Sequence, residues 1–215
     1  MSFQIYSLGV ITILFLGTCH QPVLKPEPAL LHYFTSIPAA DTLRFEVAED
    51  SETLSGDTIP NSLFFTEINP EWLQEIDYLA DSSAALVLGL QRIPLNDSTD
   101  VCLVDIRQAW FRHQSLLVYD KQRRDFAGRV TVAEFYGGDG GQLLTGTWML
   151  DYDGDGDKDL LRREISHGLI PDGDEVKEYT DESALLLIWN GDRFIEQPVS
   201  DTALVVKRFP IRSVW

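Results

Sequence analysis

The chain has 215 residues, of which 44% are hydrophobic and 11% aromatic. It is therefore long and apolar enough to bury the core of one folded domain. Asp and Glu number 34 against 17 Lys and Arg, which gives a formal net charge of −17 at pH 7. Such a surface repels nucleic acid phosphates and anionic lipid headgroups, and this excludes nucleic acid as a partner.

The first segment of the chain carries an export pattern. Residues 5–17 are mostly apolar, and the first Lys or Arg is Lys25. This run is shorter than the about 20 residues that a membrane-spanning helix needs. It fits the hydrophobic region of a signal peptide over residues 1–18. The tetrapeptide at 16–19, Leu-Gly-Thr-Cys, resembles a bacterial lipobox, and this resemblance implies cleavage before Cys19 and a diacylglycerol on its sulfur.

Two readings of this segment follow. A lipoprotein would be held at the bacterial cell envelope, facing the periplasm or the cell surface, with only its N-terminal lipid in the membrane. An ordinary cleaved signal would leave Cys19 free for a disulfide with Cys102, the second of the two cysteines. Cys102 lies in an apolar run, so we expect a buried, unreactive thiol. Both readings predict an exported chain.

A proline-rich segment separates the signal from the rest of the chain. Residues 19–41 contain four of the ten prolines, and we interpret them as a tether that links the lipid to a single domain over residues 42–215. One helix is predicted in that domain, at about residues 70–80. Asn69 can cap this helix, and Pro70 fits its first position.

The remainder of the domain has a β pattern. Short apolar and β-branched runs alternate with turn-rich residues, as in antiparallel meanders. The runs are 43–47, 84–90, 101–106, 115–119, 129–136, 143–150, 160–165 and 183–189. We predict a mainly β domain, either an antiparallel meander or sandwich or a partial propeller-like sheet. The acidic run Pro171–Glu182 is predicted to be a solvated hairpin loop.

Two of the predicted hairpins have the same design. Segments 115–126 and 184–194 each consist of an apolar strand that ends in an aromatic residue, a polar turn and a phenylalanine. The similarity indicates either a duplicated β unit or the ordinary regularity of a meander.

The most specific motif lies between the runs 143–150 and 160–165. Aspartates alternate along it, with Gly156 at the turn, and they are Asp151, Asp153, Asp155, Asp157 and Asp159. Calcium takes six to eight oxygen ligands, and a tightly coiled loop can supply several of them. Crowded carboxylates also repel one another unless a cation neutralises them. The sequence therefore predicts a structural calcium site, with Asp157 contributing its backbone carbonyl.

This segment resembles the calcium loop of FG-GAP or VCBS repeats, the strand–loop–strand modules of integrin-type β-propellers. The family pattern is an apolar strand, Asp-x-Asp-x-Asp-Gly-x-x-Asp-Leu and a second apolar strand, and every position matches from Asp151 to Leu160. The resemblance covers about Leu143 to Phe194 and implies ligands at the five aspartates. An EF-hand is the rival, but it needs an acid where this chain has Arg162, and it needs a helix on each side.

The sequence specifies no reaction, because it contains no His-Glu-x-x-His, Gly-x-Ser-x-Gly or Cys-x-x-Cys motif. The leading hypothesis is a lipid-anchored envelope protein that acts as a binding module for an envelope protein or a glycan. The alternative is an envelope hydrolase directed at glycans, with structural calcium and with catalytic acids among Asp105, Glu134 and Glu164.

Overall fold

The structure, a computed structural model, describes residues 25–47, 55–76, 79, 83–108, 111–138, 140–173 and 175–211. The predicted mainly β class is confirmed, because eleven strands join in one sheet. The strands are β1 (Thr35–Ser36), β2 (Thr42–Glu46), β3 (Asp57–Ile59), β4 (Leu86–Pro94), β5 (Thr99–Gln108), β6 (Phe111–Asp120), β7 (Asp125–Gly138), β8 (Gly141–Leu150), β9 (Asp159–Asp172), β10 (Glu175–Trp189) and β11 (Phe194–Gln197). The helices are a 3₁₀ helix (Ala29–Tyr33), α1 (Asn61–Glu67), α2 (Pro70–Gln74) and α3 (Thr202–Arg208). Within the described ranges no helix has the length and apolar character needed to cross a membrane.

The sheet is an open antiparallel meander with three N-terminal strands added to it. Strands β4 to β11 each pair with the next in chain order. On the free side of β4 lie β1, which is parallel to it, and β3, which is antiparallel. Strand β7 pairs with β8 only over Glu134–Gly138, and β2 occupies the next stretch of the β8 edge, at Gly146–Leu150. Each predicted run overlaps a strand, although the runs 43–47 and 84–90 extend one or two residues beyond β2 and β4.

The central strands are buried on both faces. Along β5, Val101 and Leu103 belong to one hydrophobic cluster, whereas Cys102 and Val104 belong to the other. Successive residues of a strand point to opposite faces, so this division means that apolar groups cover β5 on both sides. The second cluster is closed by the 3₁₀ helix, α1 and residues next to α2. Burial raises the pKa of the Cys102 thiol to about 12, and the prediction that this thiol is buried is confirmed.

Arg163 fixes α3 to the sheet. Only 2% of this residue is exposed, and its Nη1 donates to the carbonyl oxygens of Val206 at 3.0 Å and Phe209 at 2.8 Å. Its Nη2 forms an ion pair with Glu182. The ring of Phe209 packs on that of Trp148, with 5.5 Å between the centroids. The C-terminal helix is therefore held by carbonyl groups at its end and by an aromatic contact.

The predicted tether is wrong for its second half. Leu30, Leu31 and Phe34 are buried in the second cluster, and the N–H groups of Ala29 and Leu30 donate to the carboxylate of Glu67 in α1. Prolines bias a chain towards extended conformations, but apolar side chains between them can still dock. Cys19 and the signal peptide lie outside the described residues.

The helix and acidic-loop predictions also need correction. Of the helix predicted at 70–80, Pro70–Gln74 is confirmed, with Asn69 Oδ1 accepting the N–H of Glu71 at 3.0 Å, whereas residues 77, 78 and 80 lie outside the described residues. Helices α1 and α3 were not predicted. The run Pro171–Glu182, predicted to be a loop, instead belongs to the ends of β9 and β10 around a short turn, because cross-strand pairing overrides its polar composition.

The two similar hairpins share their geometry. At the β6–β7 turn, Asp120 Oδ1 accepts the N–H groups of residues 122 and 123, each at 2.8 Å. At the β10–β11 turn, Asn190 Oδ1 accepts those of residues 192 and 193, at 3.1 and 2.9 Å. Each hairpin also has an aromatic contact between its two strands, Tyr119 with Phe126 in the first and Trp189 with Phe194 in the second. The predicted common design is therefore present in the structure.

Candidate metal centre and neighbouring polar clusters

The aspartate loop is the connection between two antiparallel strands. The last residue pair before it is Leu150 of β8 with Asp159 of β9, so residues 151–158 form the tip of a hairpin. Gly154 and Gly156 have φ values of 86° and 99°, in a left-handed region that residues with a side chain rarely adopt. The flanking strands rule out an EF-hand, which has helices at both ends of its loop.

The structure brings three of the five aspartates together. Carboxylate oxygens of Asp151, Asp153 and Asp159 all lie within 4.8 Å of one another. Calcium binds oxygen at about 2.4 Å, so ligands of one ion are at most about 4.8 Å apart, and this group fits one calcium ion. The carboxylates of Asp155 and Asp157 are not part of the group. For Asp157 the expected ligand is the backbone carbonyl, which does not depend on where its side chain lies.

Backbone N–H groups curl the loop around its own carboxylates. Asp151 accepts from Gly154 at 2.7 Å and from Gly156 at 3.2 Å, through its two oxygens. Asp153 accepts from residue 155 at 3.1 Å, and Asp155 accepts from residue 157 at 2.9 Å. These side-chain-to-backbone turns hold the coil that a metal loop needs.

Asp159 joins the loop to the rest of the sheet. It is 1% exposed, its Oδ2 accepts the N–H of Tyr152, and its Oδ1 accepts that of Trp189 in β10, both at 3.0 Å. Burial raises the pKa of Asp159, the two backbone hydrogen bonds oppose this rise, and the charges of Asp153 and Asp155 add to it. One carboxylate thus connects the loop, β9 and β10.

The protein itself supplies no cation to this site among the residues that the structure describes. None of the five aspartates forms an ion pair there. The nearest lysine in sequence, Lys158, donates instead to the backbone oxygen of Asp41 at 2.9 Å. The mutual repulsion of the carboxylates is therefore left for an external cation to relieve.

The three acids of the hydrolase alternative occupy different settings. Asp105 is 1% exposed and accepts from Arg107 at 2.5 Å and from Gln114 at 3.1 Å. Glu134 and Glu164 both pair with Thr145 of β8, one from each side. These two glutamates therefore share a face of the sheet, two strand spacings or about 10 Å apart.

A buried polar cluster that no sequence motif predicts adjoins Glu134. His113 Nδ1 lies 3.1 Å from Glu134 Oε1, and His113 Nε2 lies 2.6 Å from Ser115 Oγ. Arg129 Nη1 donates to Ser115 Oγ at 2.9 Å and approaches His113 Nε2 at 3.3 Å. These donors make Nε2 an acceptor, so the neutral ring carries its proton on Nδ1 and donates it to Glu134.

Hydrogen bonds link Ser115 to His113 and His113 to Glu134, as in the catalytic triad of a hydrolase, but this cluster is buried. Ser115 and His113 are both 0% exposed, whereas a nucleophile must meet its substrate. Side chains alternate between the two faces of a strand, so residues 113 and 115 of β6 lie on the same face. Only the pairing of β6 with β7 adds Glu134 and Arg129, and pairing is not visible in a single strand's sequence. We interpret the cluster as a closed structural network.

No family model matches the chain, and no curated protein and no solved structure is significantly similar to it.

His113 makes stability depend on pH. Burial lowers its pKa, which outweighs the opposing effect of Glu134, so below the ordinary value of about 6.5 the unfolded chain binds more protons than the folded one. Stability is therefore expected to fall as the pH drops below 6.5, by up to about 1.4 kcal/mol per pH unit. Urea unfolding of wild type and His113→Gln at pH 7.5, 6.5 and 5.5 measures this slope.

The control is His32→Gln, which replaces an exposed histidine. We expect the slope between pH 6.5 and 5.5 to be reduced in His113→Gln and unchanged in His32→Gln. Equal slopes in all three proteins would show that His113 is not buried as a neutral ring.

Proposed function

We propose that this protein is an exported, lipid-anchored component of the bacterial cell envelope, in which one structural calcium ion stabilises a β domain that binds a partner. The observation that carries the proposal is the convergence of Asp151, Asp153 and Asp159 within 4.8 Å, with no protein cation paired to them in the described ranges. Oxygen ligands in a hairpin loop favour calcium over softer or smaller metals.

The expected role of the ion is mechanical. Asp159 belongs to the group of converging carboxylates and also accepts the N–H of Trp189. A cation that draws Asp151 and Asp153 towards Asp159 would tie the loop to the start of β9 and the end of β10. Calcium would then stabilise these strands without taking part in a reaction, and neighbouring surfaces would contact the partner, an envelope protein or a glycan.

Calcium is expected to raise the melting temperature of the domain. At 100 times its dissociation constant a ligand adds about 2.7 kcal/mol, which corresponds to about 5–10 °C for a domain of this size. The shift is the difference between the melting temperature of the purified protein in 5 mM calcium and its melting temperature in EDTA. Asp153→Ala, which removes one of the three converging carboxylates, is expected to lose most of it.

The matched control for this experiment is Asp157→Ala. It removes the same charged group from the same loop but keeps the backbone carbonyl that is the expected ligand, so most of the calcium shift should remain. A melting temperature that is the same with calcium and with EDTA in the wild-type domain would refute the calcium site.

Lipidation is expected at Cys19 and nowhere else. Cells that produce the full chain and are fed an alkyne fatty acid should label the wild type and Cys102→Ala, since Cys102 is buried. They should not label Cys19→Ala. Label that persists in Cys19→Ala, or that is absent from the wild type, would contradict the lipid anchor.

One observation favours the hydrolase as a second candidate. Glu134 and Glu164 lie on either side of Thr145, at a backbone separation of about 10 Å, which is slightly more than the about 6.5–9.5 Å between carboxyl groups of inverting glycosidases. Burial raises the pKa of Glu164, as a general acid requires, whereas Arg162 opposes this rise.

This candidate predicts slow release of reducing sugar ends from purified peptidoglycan. Glu164→Gln should reduce the rate by at least 100-fold, because general acid catalysis contributes about 10²–10⁴. Asp181→Asn, which neutralises an exposed acid near Glu164, should leave the rate within twofold. No release by the wild type, or full activity in Glu164→Gln, would reject the hydrolase.

A further inference from the structure

Strands β9 and β10 project beyond the rest of the sheet. Strand β8 accompanies β9 only as far as the pair Gly141 and Gly168. Beyond this pair, residues 169–172 of β9 and 175–178 of β10 form a two-stranded ribbon. The ring of Tyr179 lies against Gly168, where an added Cβ would come within 2.6 Å of the ring. This contact packs the base of the ribbon across the two strands.

The outer edge of β10 has no strand beside it over most of its length. Strand β11 pairs only with Leu186–Trp189, and no described strand pairs with this edge between Glu175 and Leu185. The nine residues from 175 to 183 are all exposed. Every second residue of such an edge directs its N–H and C=O groups outward, where they can pair with another chain.

Apolar side chains are exposed next to this edge. Four of the eight large hydrophobic residues that are exposed in the described ranges lie here. Val176 is 63% exposed, Ile170 51%, Leu169 45% and Tyr179 40%. Because both faces of the ribbon carry such groups, an added strand would find apolar contacts above and below its backbone.

The charges on the edge are mostly negative. Glu175, Glu178, Asp181 and Glu182 are separated by a single cation, Lys177. Lys177 is already paired with Asp172, and Glu182 with Arg163. This leaves Glu175, Glu178 and Asp181 without a cationic partner among the described residues.

We propose that the free edge of β10, residues 175–185, binds a basic, extended segment of a partner protein by strand addition. The inference rests on the proposed binding function and names its surface and its partner. Main-chain hydrogen bonds to the edge would set the register, as in other cases of β-strand addition. Lysine or arginine side chains of the partner would face the three unpaired carboxylates, and its apolar side chains would contact Val176 and Tyr179.

The same charges disfavour a second copy of this chain as the occupant. Acidic residues on an exposed edge block edge-to-edge pairing between identical molecules. Two copies would also each bring a net charge of −17. A basic strand is favoured instead, because its positive charges compensate the negative charges of the edge and accelerate its association.

The test uses a labelled basic peptide as the probe. It is the nonapeptide acetyl-Lys-Val-Thr-Lys-Val-Thr-Lys-Val-Thr-amide with fluorescein on its first lysine side chain, so that lysines occur on both faces of the strand. Binding to the full chain, purified in detergent, is measured by fluorescence anisotropy in 50 mM salt. The control peptide has the same sequence with N-methyl groups on its four central amides, which remove backbone donors and leave the lysine charges unchanged. We expect it to bind at least tenfold more weakly.

Two triple variants test the position of the site. The edge variant combines Glu175→Gln, Glu178→Gln and Asp181→Asn. The matched variant combines Asp57→Asn, Asp97→Asn and Glu196→Gln, which neutralise three exposed acids elsewhere. Affinity for the peptide should fall about tenfold or more in the edge variant and less than twofold in the matched variant. Circular dichroism verifies that both variants are folded.

Several results would overturn the inference. They are equal binding of the two peptides, equal effects of the two triple variants, no binding of the peptide by the wild type, and a wild-type dimer that the edge variant dissolves in analytical ultracentrifugation. Repeating the titration in EDTA separates the inference from the calcium site. Peptide binding without a calcium-induced melting shift would reject the calcium site alone, whereas a calcium shift without peptide binding would reject the strand addition alone.

Discussion

The buried carboxylate of Asp159 connects the aspartate loop, β9 and β10. Its two oxygens accept N–H groups from the loop and from β10, and the residue itself begins β9. A buried carboxylate costs free energy unless it is hydrogen-bonded or neutralised. Here both hydrogen bonds are donated by backbone N–H groups. The same residue belongs to the candidate calcium group. The fold and the candidate metal site therefore share one side chain, and a cation bound there would act directly on the pairing of β9 with β10.

Burial of the central strands on both faces explains why the sheet could be predicted. Apolar residues run without interruption through Val101–Val104, and β5 has apolar clusters on each side. A strand with only one buried face would alternate between apolar and polar residues. Hydrophobic runs and turn residues therefore predicted the strands and the strand–loop–strand setting of the aspartates. Gly156 was predicted to turn the loop, whereas the left-handed φ of Gly154 became evident only in the structure.

Other features depend on contacts between distant residues and left no local pattern. The docking of Leu30 requires the carboxylate of Glu67, and the cluster around His113 requires the register of β6 with β7. The run Pro171–Glu182 is polar enough to be a loop, but its cross-strand pairing makes it a ribbon. The polar composition of this run indicates solvent exposure, and exposure alone does not distinguish a loop from an edge strand.

The position of β2 has a consequence for the order of folding. Strands β4 to β11 pair with their neighbours in the chain, so each hairpin closes over a short loop. Strand β2 instead pairs with β8, where Thr42 meets Leu150. Closing such a long loop is entropically costly before its contacts form. During synthesis β2 emerges early and has no partner until β8 has followed it. We therefore expect β2 to dock late, after β8 has joined the meander.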